Sequence, residues 1–262
     1  MKSLILSTWS KFGPIRRHIV RDWFTVIHYH RIEPDLFKKH LEYYKKYYYI
    51  DSLNNIFIYF KDKTQISRNP IFITFDDGWK SNFDLMPLIE SEQMPVTIFL
   101  STGLIGTNKK PHPITFYETK SNSKRHEYPS ENERTMLSLE EIKEMVKIVN
   151  FQSHGVNHHL STHITPNQFR SELLESKQKI ENITRKKVYA FAYPYNRAGQ
   201  SEAKIVESCG YTIARAGGRM MNDSNSKRFL INSIGIEEKC TVKDLKKKLL
   251  RAELKTTLIG GK

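Results

Sequence analysis

Along the chain, short apolar runs alternate with longer stretches whose apolar positions recur at helical spacing. This pattern predicts βα units arranged around a largely parallel sheet or barrel. Six runs read as strands, at 24–29, 71–75, 96–100, 149–153, 188–193 and 211–214. They are rich in β-branched and aromatic residues, and several are apolar on both faces, as strands covered on both sides must be. Residues 35–48 and 83–92 read as amphipathic helices. Ser138-Leu-Glu-Glu141 predicts a helix start with a capping box, because hydroxyl and carboxylate can each satisfy free backbone N–H groups. Thr165-Pro166 predicts another, with proline at the first helical position and a helix running to about Asn182. The polar segment 106–135 carries three prolines and no sustained period, and reads as a long insertion over one end of the fold. Residues 242–258 show an apolar stripe opposite lysines. They read as a terminal docking helix, with a membrane-surface helix as the second reading.

A chain of 262 residues, 39% of them apolar, can bury one substantial core, so a single α/β domain is expected over 23–236. A basic segment at 1–22 and a basic C-terminal helix at 237–262 flank it. Lys and Arg outnumber Asp and Glu by 42 to 28, which favours anionic partners but names none. No nucleic-acid-binding fingerprint accompanies these charges, so a nucleic-acid partner is not expected, whereas peripheral contact with an anionic membrane stays open. Cys209 and Cys240 stand apart, which supports neither a disulfide framework nor a cysteine zinc site. The apolar patch near Met1 is too short for a signal sequence or a membrane span, so a cytoplasmic or peripheral location is expected.

Three motifs carry candidate chemistry. In Ile71-Phe-Ile-Thr-Phe-Asp76-Asp77-Gly78-Trp79, an apolar strand stops at two adjacent carboxylates, at the strand end where parallel α/β folds place their chemistry. One carboxylate can bind a cation while its neighbour takes a proton; a plain solvated turn would use the same residues. Phe151-Gln-Ser-His154-Gly-Val-Asn-His158-His159 places two histidines four apart, on one face of a helical turn and within reach of a shared metal. With a strand-end carboxylate they form the two-histidine, one-carboxylate set of an open metal site. In Ala190-Phe-Ala-Tyr193-Pro194-Tyr195-Asn196, aromatic rings at a strand end can wall a sugar groove, and turn N–H groups can face an oxyanion.

In this order and spacing the motifs resemble the polysaccharide deacetylases of the NodB-homology group, carbohydrate esterase family 4, over roughly 25–218. The resemblance implies a distorted (β/α) barrel and hydrolysis of N-acetyl groups on N-acetylglucosamine-type sugars of a polysaccharide, oligosaccharide or glycolipid. It implies Asp76 as general base and Asp77, His154 and His158 as ligands of a divalent metal, zinc first, with Co2+, Ni2+, Mn2+ or Fe2+ as alternatives. Trp79, Tyr193, Pro194 and Tyr195 are expected to contact substrate, with the Tyr195 N–H facing the oxyanion. The chain departs from the family pattern twice. Ala192 stands where an arginine usually braces the base, and the segment from Ile231 to Ile236 lacks the usual acid histidine. The subgroup acting on poly-N-acetylglucosamine has an N-terminal Tyr-His at a strand end, which here is Tyr29-His30. His30 is therefore expected as general acid, with His28 the alternative. Two other readings remain: a deacetylase or deformylase of a lipid- or nucleotide-linked monosaccharide, and a degenerate carbohydrate-binding protein.

Overall fold

The computed structural model describes residues 23–61, 69–111 and 134–259. The expected segment 1–22 and most of the expected insertion lie outside them. In chain order the elements are β1 (Thr25–Tyr29), α1 (Pro34–Tyr47), β2 (Tyr49–Ile50), α2 (Ile56–Lys61), β3 (Pro70–Asp77), α3 (Met86–Ser91), β4 (Val96–Leu100), α4 (Leu139–Met145), β5 (Val149–Ser153), α5 (Pro166–Thr184), β6 (Ala190–Ala192), α6 (Gln200–Ser208), β7 (Ile213–Arg215), β8 (Ile234–Gly235) and α7 (Val242–Ile259). Among the described residues the strands form one sheet in the order β7-β6-β5-β4-β3-β1-β8, with β2 pairing the start of β3. All named strand pairs are parallel.

Alternation along each strand builds two cores. Phe24, Val26, Phe72, Phe99, Ala190, Ala192, Ile213 and Ile231 fill the concave side of the sheet. Ile27, Tyr29, Ile73, Phe75, Ile98, Leu100, Phe151 and Phe191 pack outwards against the helices. The segment from Ile231 to Gly235 joins the two sheet edges: Ile231 pairs with β7 through Ala214 and Ala216, and Ile234 and Gly235 pair with β1. The sheet thus curls into the expected distorted barrel. Continuing the same period, His28 on β1, Asp76 on β3 and Arg215 on β7 follow Val26, Phe72 and Ile213 on the concave side, at the C-terminal mouth.

Both expected helix starts are present, Ser138/Glu141 and Thr165/Gln168 each forming a capping box. The single helix expected over 83–92 is instead a 3-10 turn, Lys80–Leu85, followed by α3. Pro87 lacks the N–H that a continuous helical ladder needs, so the ladder restarts around it. β2 and β8 are additional strands of two residues each, too short to show a period. The apolar stripe of α7 docks on the body, burying Leu245, Leu249 and Ala252 in the outer core. No helix among the described residues is long and apolar enough to cross a membrane.

Candidate metal and acid–base site

β3 ends in a left-handed turn, with Asp77 at φ 73° and Gly78 at φ 84°. A Cβ on Gly78 would stand 2.5 Å from Leu100 Cδ2, so only glycine fits there. The Asp77 backbone lies in the region that aspartate tolerates better than most residues. Its carboxylate meets the loop after β5: Oδ1 lies 3.4 Å from His154 Nε2 and 3.2 Å from His158 Nε2. Trp79 Nε1 donates to the other oxygen at 2.9 Å.

The His154 and His158 loop is not helical, which corrects the expected turn. Gly155 at φ 82° and His158 at φ 57° bend the chain back so that both rings reach Asp77. The Ala192 carbonyl accepts from His154 Nδ1 at 2.7 Å, which leaves the Nε2 lone pair facing the carboxylate. Burial, only partly offset by Asp77, lowers the pKa of His158 to about 3, so its imidazole is neutral. Burial disfavours the Asp77 charge, yet the carboxyl stays well below its ordinary range. Among the described residues Asp77 Oδ1 accepts no hydrogen bond. Three buried acceptor atoms, all within 4.8 Å of one another, therefore converge on one point. Mutually facing lone pairs repel unless a cation lies between them, and this donor set fits a divalent metal.

Asp76 is anchored separately. Arg215 Nη2 donates to both of its oxygens, at 2.5 and 2.6 Å, and both side chains are almost fully buried. Arg215 Nη1 donates to Asn196 Oδ1 at 2.6 Å and Ser233 Oγ at 3.0 Å. Burial opposes the Asp76 charge; Arg215, and then the nearby histidines, outweigh it and hold the carboxyl below its usual pKa. The brace missing at Ala192 thus comes from β7. The signal was present in the sequence, because Arg215 ends an apolar strand just as Asp76 and Asp77 do.

The two N-terminal histidines differ in environment. His30 Nε2 is 3.9 Å from Asp77 Oδ2 and its side chain is 49% exposed. His28 is buried, with Nε2 accepting from Asn196 Nδ2 at 3.2 Å. Since Arg215 fixes the amide oxygen of Asn196, its NH2 is turned towards His28. Burial first, then Arg215, pushes the His28 pKa well down, so the ring is uncharged at neutral pH.

Three of the four expected substrate contacts need correction. Trp79 is 5% exposed, Tyr193 is fully buried and Pro194 is buried, so none presents a face to a sugar. Trp79 instead holds Asp77, beneath the Arg31 guanidinium at 5.1 Å. Tyr195 is partly exposed, and its ring packs 4.7 Å from that of His158.

Comparison with known proteins agrees with this architecture. Residues 63–214 match the family described as polysaccharide deacetylase. The chain belongs to that family, a group of amide-cleaving hydrolases. It is 28% identical over 149 residues to the Bacillus subtilis (strain 168) protein YxkH, whose curated name places it among polysaccharide deacetylases. That match covers 56% of the chain but only 44% of YxkH. The Streptococcus pyogenes deacetylase PplD, solved with acetate, superposes with a TM-score of 0.69 at 19% identity, over 87% of this chain and 98% of PplD. A de-N-acetylase from Aggregatibacter actinomycetemcomitans gives 0.67 at 16% identity, covering 87% and 100%. IcaB from Ammonifex degensii gives 0.63 at 18%, covering 81% and 91%. At these identities the structural matches establish the fold alone.

Proposed function

We propose that the chain is a metal-dependent deacetylase that removes N-acetyl groups from N-acetylglucosamine-type sugars of a polysaccharide or oligosaccharide. One observation carries the reading: Asp77, His154 and His158 converge on a point beside an Asp76 that a buried arginine keeps ionised. Asp77, His154 and His158 are the proposed ligands, with zinc the first choice for two imidazoles and a carboxylate; Co2+, Ni2+, Mn2+ and Fe2+ suit the same set. Such a cation would supply Lewis acidity towards the acetamide carbonyl and the attacking water.

The rest of the chemistry falls to side chains. Asp76 takes a proton from the attacking water as that oxygen bonds to the acyl carbon. Arg215 and Asn196 keep the carboxylate oriented while this happens. As the carbon–nitrogen bond breaks, His30 gives a proton to the leaving nitrogen, so that a neutral amine departs and acetate remains. His30 suits this role better than His28, because it is half exposed at the mouth and His28 is neutral and buried. Tyr195, against the His158 ring, is the proposed substrate contact, its N–H directed at the developing oxyanion.

The test is acetate release from N-acetylglucosamine oligomers by protein of measured metal content, before and after chelation. Asp77→Ala should lose both metal and activity, whereas Asp76→Asn should keep metal and lose turnover. Full activity in Asp76→Asn, or in metal-free protein, would overturn the proposal.

A further inference from the structure

The loop that carries His154 and His158 has no regular secondary structure and turns through two left-handed residues. One side chain organises it from outside the mouth. Glu172, on α5, is 8% exposed and accepts from three donors of the loop. Its Oε2 takes the N–H of Val156 at 2.6 Å and that of Asn157 at 2.9 Å, and its Oε1 takes Asn157 Nδ2 at 2.7 Å. The His159 ring pairs with the same Oε1 at 3.2 Å. Successive backbone N–H groups converging on one oxygen make a nest for an anion, and here the anion belongs to the protein. The seat is tight: a Cβ on Gly155 would stand 3.0 Å from Glu172 Oε2.

The same helix secures the other wall. Thr102 and Gly103 donate their N–H groups to the carbonyls of Gly155 and Val156, and Lys179 Nζ donates to the Thr102 carbonyl at 2.8 Å. The residues between the two histidines are therefore clamped from both sides, while the rings themselves are left to face Asp77. A buried carboxylate is costly unless fully hydrogen-bonded, and among the described residues the partners of Glu172 all lie on this loop.

We infer that Glu172 is a positioning residue for the metal: it fixes the backbone between His154 and His158 and thereby sets the affinity of the Asp77, His154 and His158 set. This rests on the metal-site reading above. Groups that orient metal ligands from behind typically change affinity by about 10–100-fold when removed.

The experiment is a titration of chelated protein with Co2+, followed by visible absorption, and with Zn2+ in competition with a chromophoric chelator. Glu172→Ala should bind each metal about 10–100-fold more weakly than the parent. Glu172→Gln keeps an oxygen for the two backbone N–H groups but turns its amide against that of Asn157, so an intermediate loss is expected. Adding Asn157→Asp to Glu172→Gln gives that amide an acceptor, and the double variant should regain affinity. This recovery is read even if Glu172→Ala fails to fold, and a residue serving stability alone would not produce it. Parental affinity in folded Glu172→Ala, or no recovery in the double variant, would overturn the inference. Absence of metal binding in the parent would overturn the metal site itself, a separate outcome.

Discussion

Replacing Arg215 with methionine tests the acid–base half of the site without touching a metal ligand. The substitution leaves Asp76, 1% exposed, without the guanidinium that contacts both its oxygens. Breaking a buried ion pair from one side costs about 3–5 kcal/mol, because the remaining charge is uncompensated. For a domain of this size that corresponds to a fall in Tm of roughly 6–20 °C. The sign with pH follows from linkage. In the parent, Asp76 has a lowered pKa, so its contribution is present above the ordinary carboxyl range and is lost as pH falls through the native value. Without Arg215, burial is the largest remaining influence and moves the pKa upwards. The variant then loses stability as pH rises from the ordinary carboxyl value. The stability gap between the two proteins should therefore widen from pH 4 to pH 7, as measured by urea denaturation of chelated samples. A protonated or misdirected Asp76 is no base, so kcat at pH 7 should drop by about 10²–10⁴-fold with metal content unchanged. Arg215→Lys should recover only part, since one ammonium cannot span the carboxylate and also reach Asn196. Parental kcat at pH 7, or a stability gap that narrows with rising pH, would refute the reasoning.

Trp79→Phe keeps an aromatic ring, though a smaller one, and removes the N–H to Asp77; metal affinity, read by chelator competition, should weaken about 10-fold or more. His30→Gln should lower kcat by about 10²-fold or more and leave metal content intact, as expected for a lost proton donor. His28→Gln, assayed beside it, should retain the larger share of turnover. Chelated protein should lose stability as pH falls below about 6.5, because buried His28, His40 and His158 all have lowered pKa values and the unfolded chain binds protons that they do not. Each such group contributes a slope of up to about 1.4 kcal/mol per pH unit, measurable by denaturation at stepped pH.

The sequence made the strands of the barrel legible wherever their apolar runs were long. β3, β4 and β5 sit within two residues of the expected spans; Asp76, Asp77 and His154 were singled out because each closes such a run, and His158 for its spacing from His154. β8 was not legible, since two residues carry no period, yet it completes the barrel. The conformation around His154 was misjudged because four-residue spacing suits a helical turn equally well. Gly155 was the contrary signal, as a residue that enters the left-handed region without cost. Arg215 was passed over because the brace was sought beside Ala192, and only the curl of the sheet shows that β7 faces β3 across the mouth. Trp79 and Tyr193 were assigned to substrate from residue type; their burial depends on packing that local sequence does not express.

The bond between Arg215 and Asp76 spans 139 positions of chain. The family match ends at residue 214, so the shared region holds Asp76 and all three candidate ligands but not the guanidinium. Translation delivers these parts in sequence, at about 5–20 residues per second. His158 emerges well before Arg215 and β8, so under the proposed function the whole ligand set is synthesised before the counter-charge of the base. Under that reading the ligand set and the acid–base pair are encoded in successive stretches of chain, and the pair is complete only with the strands that close the barrel.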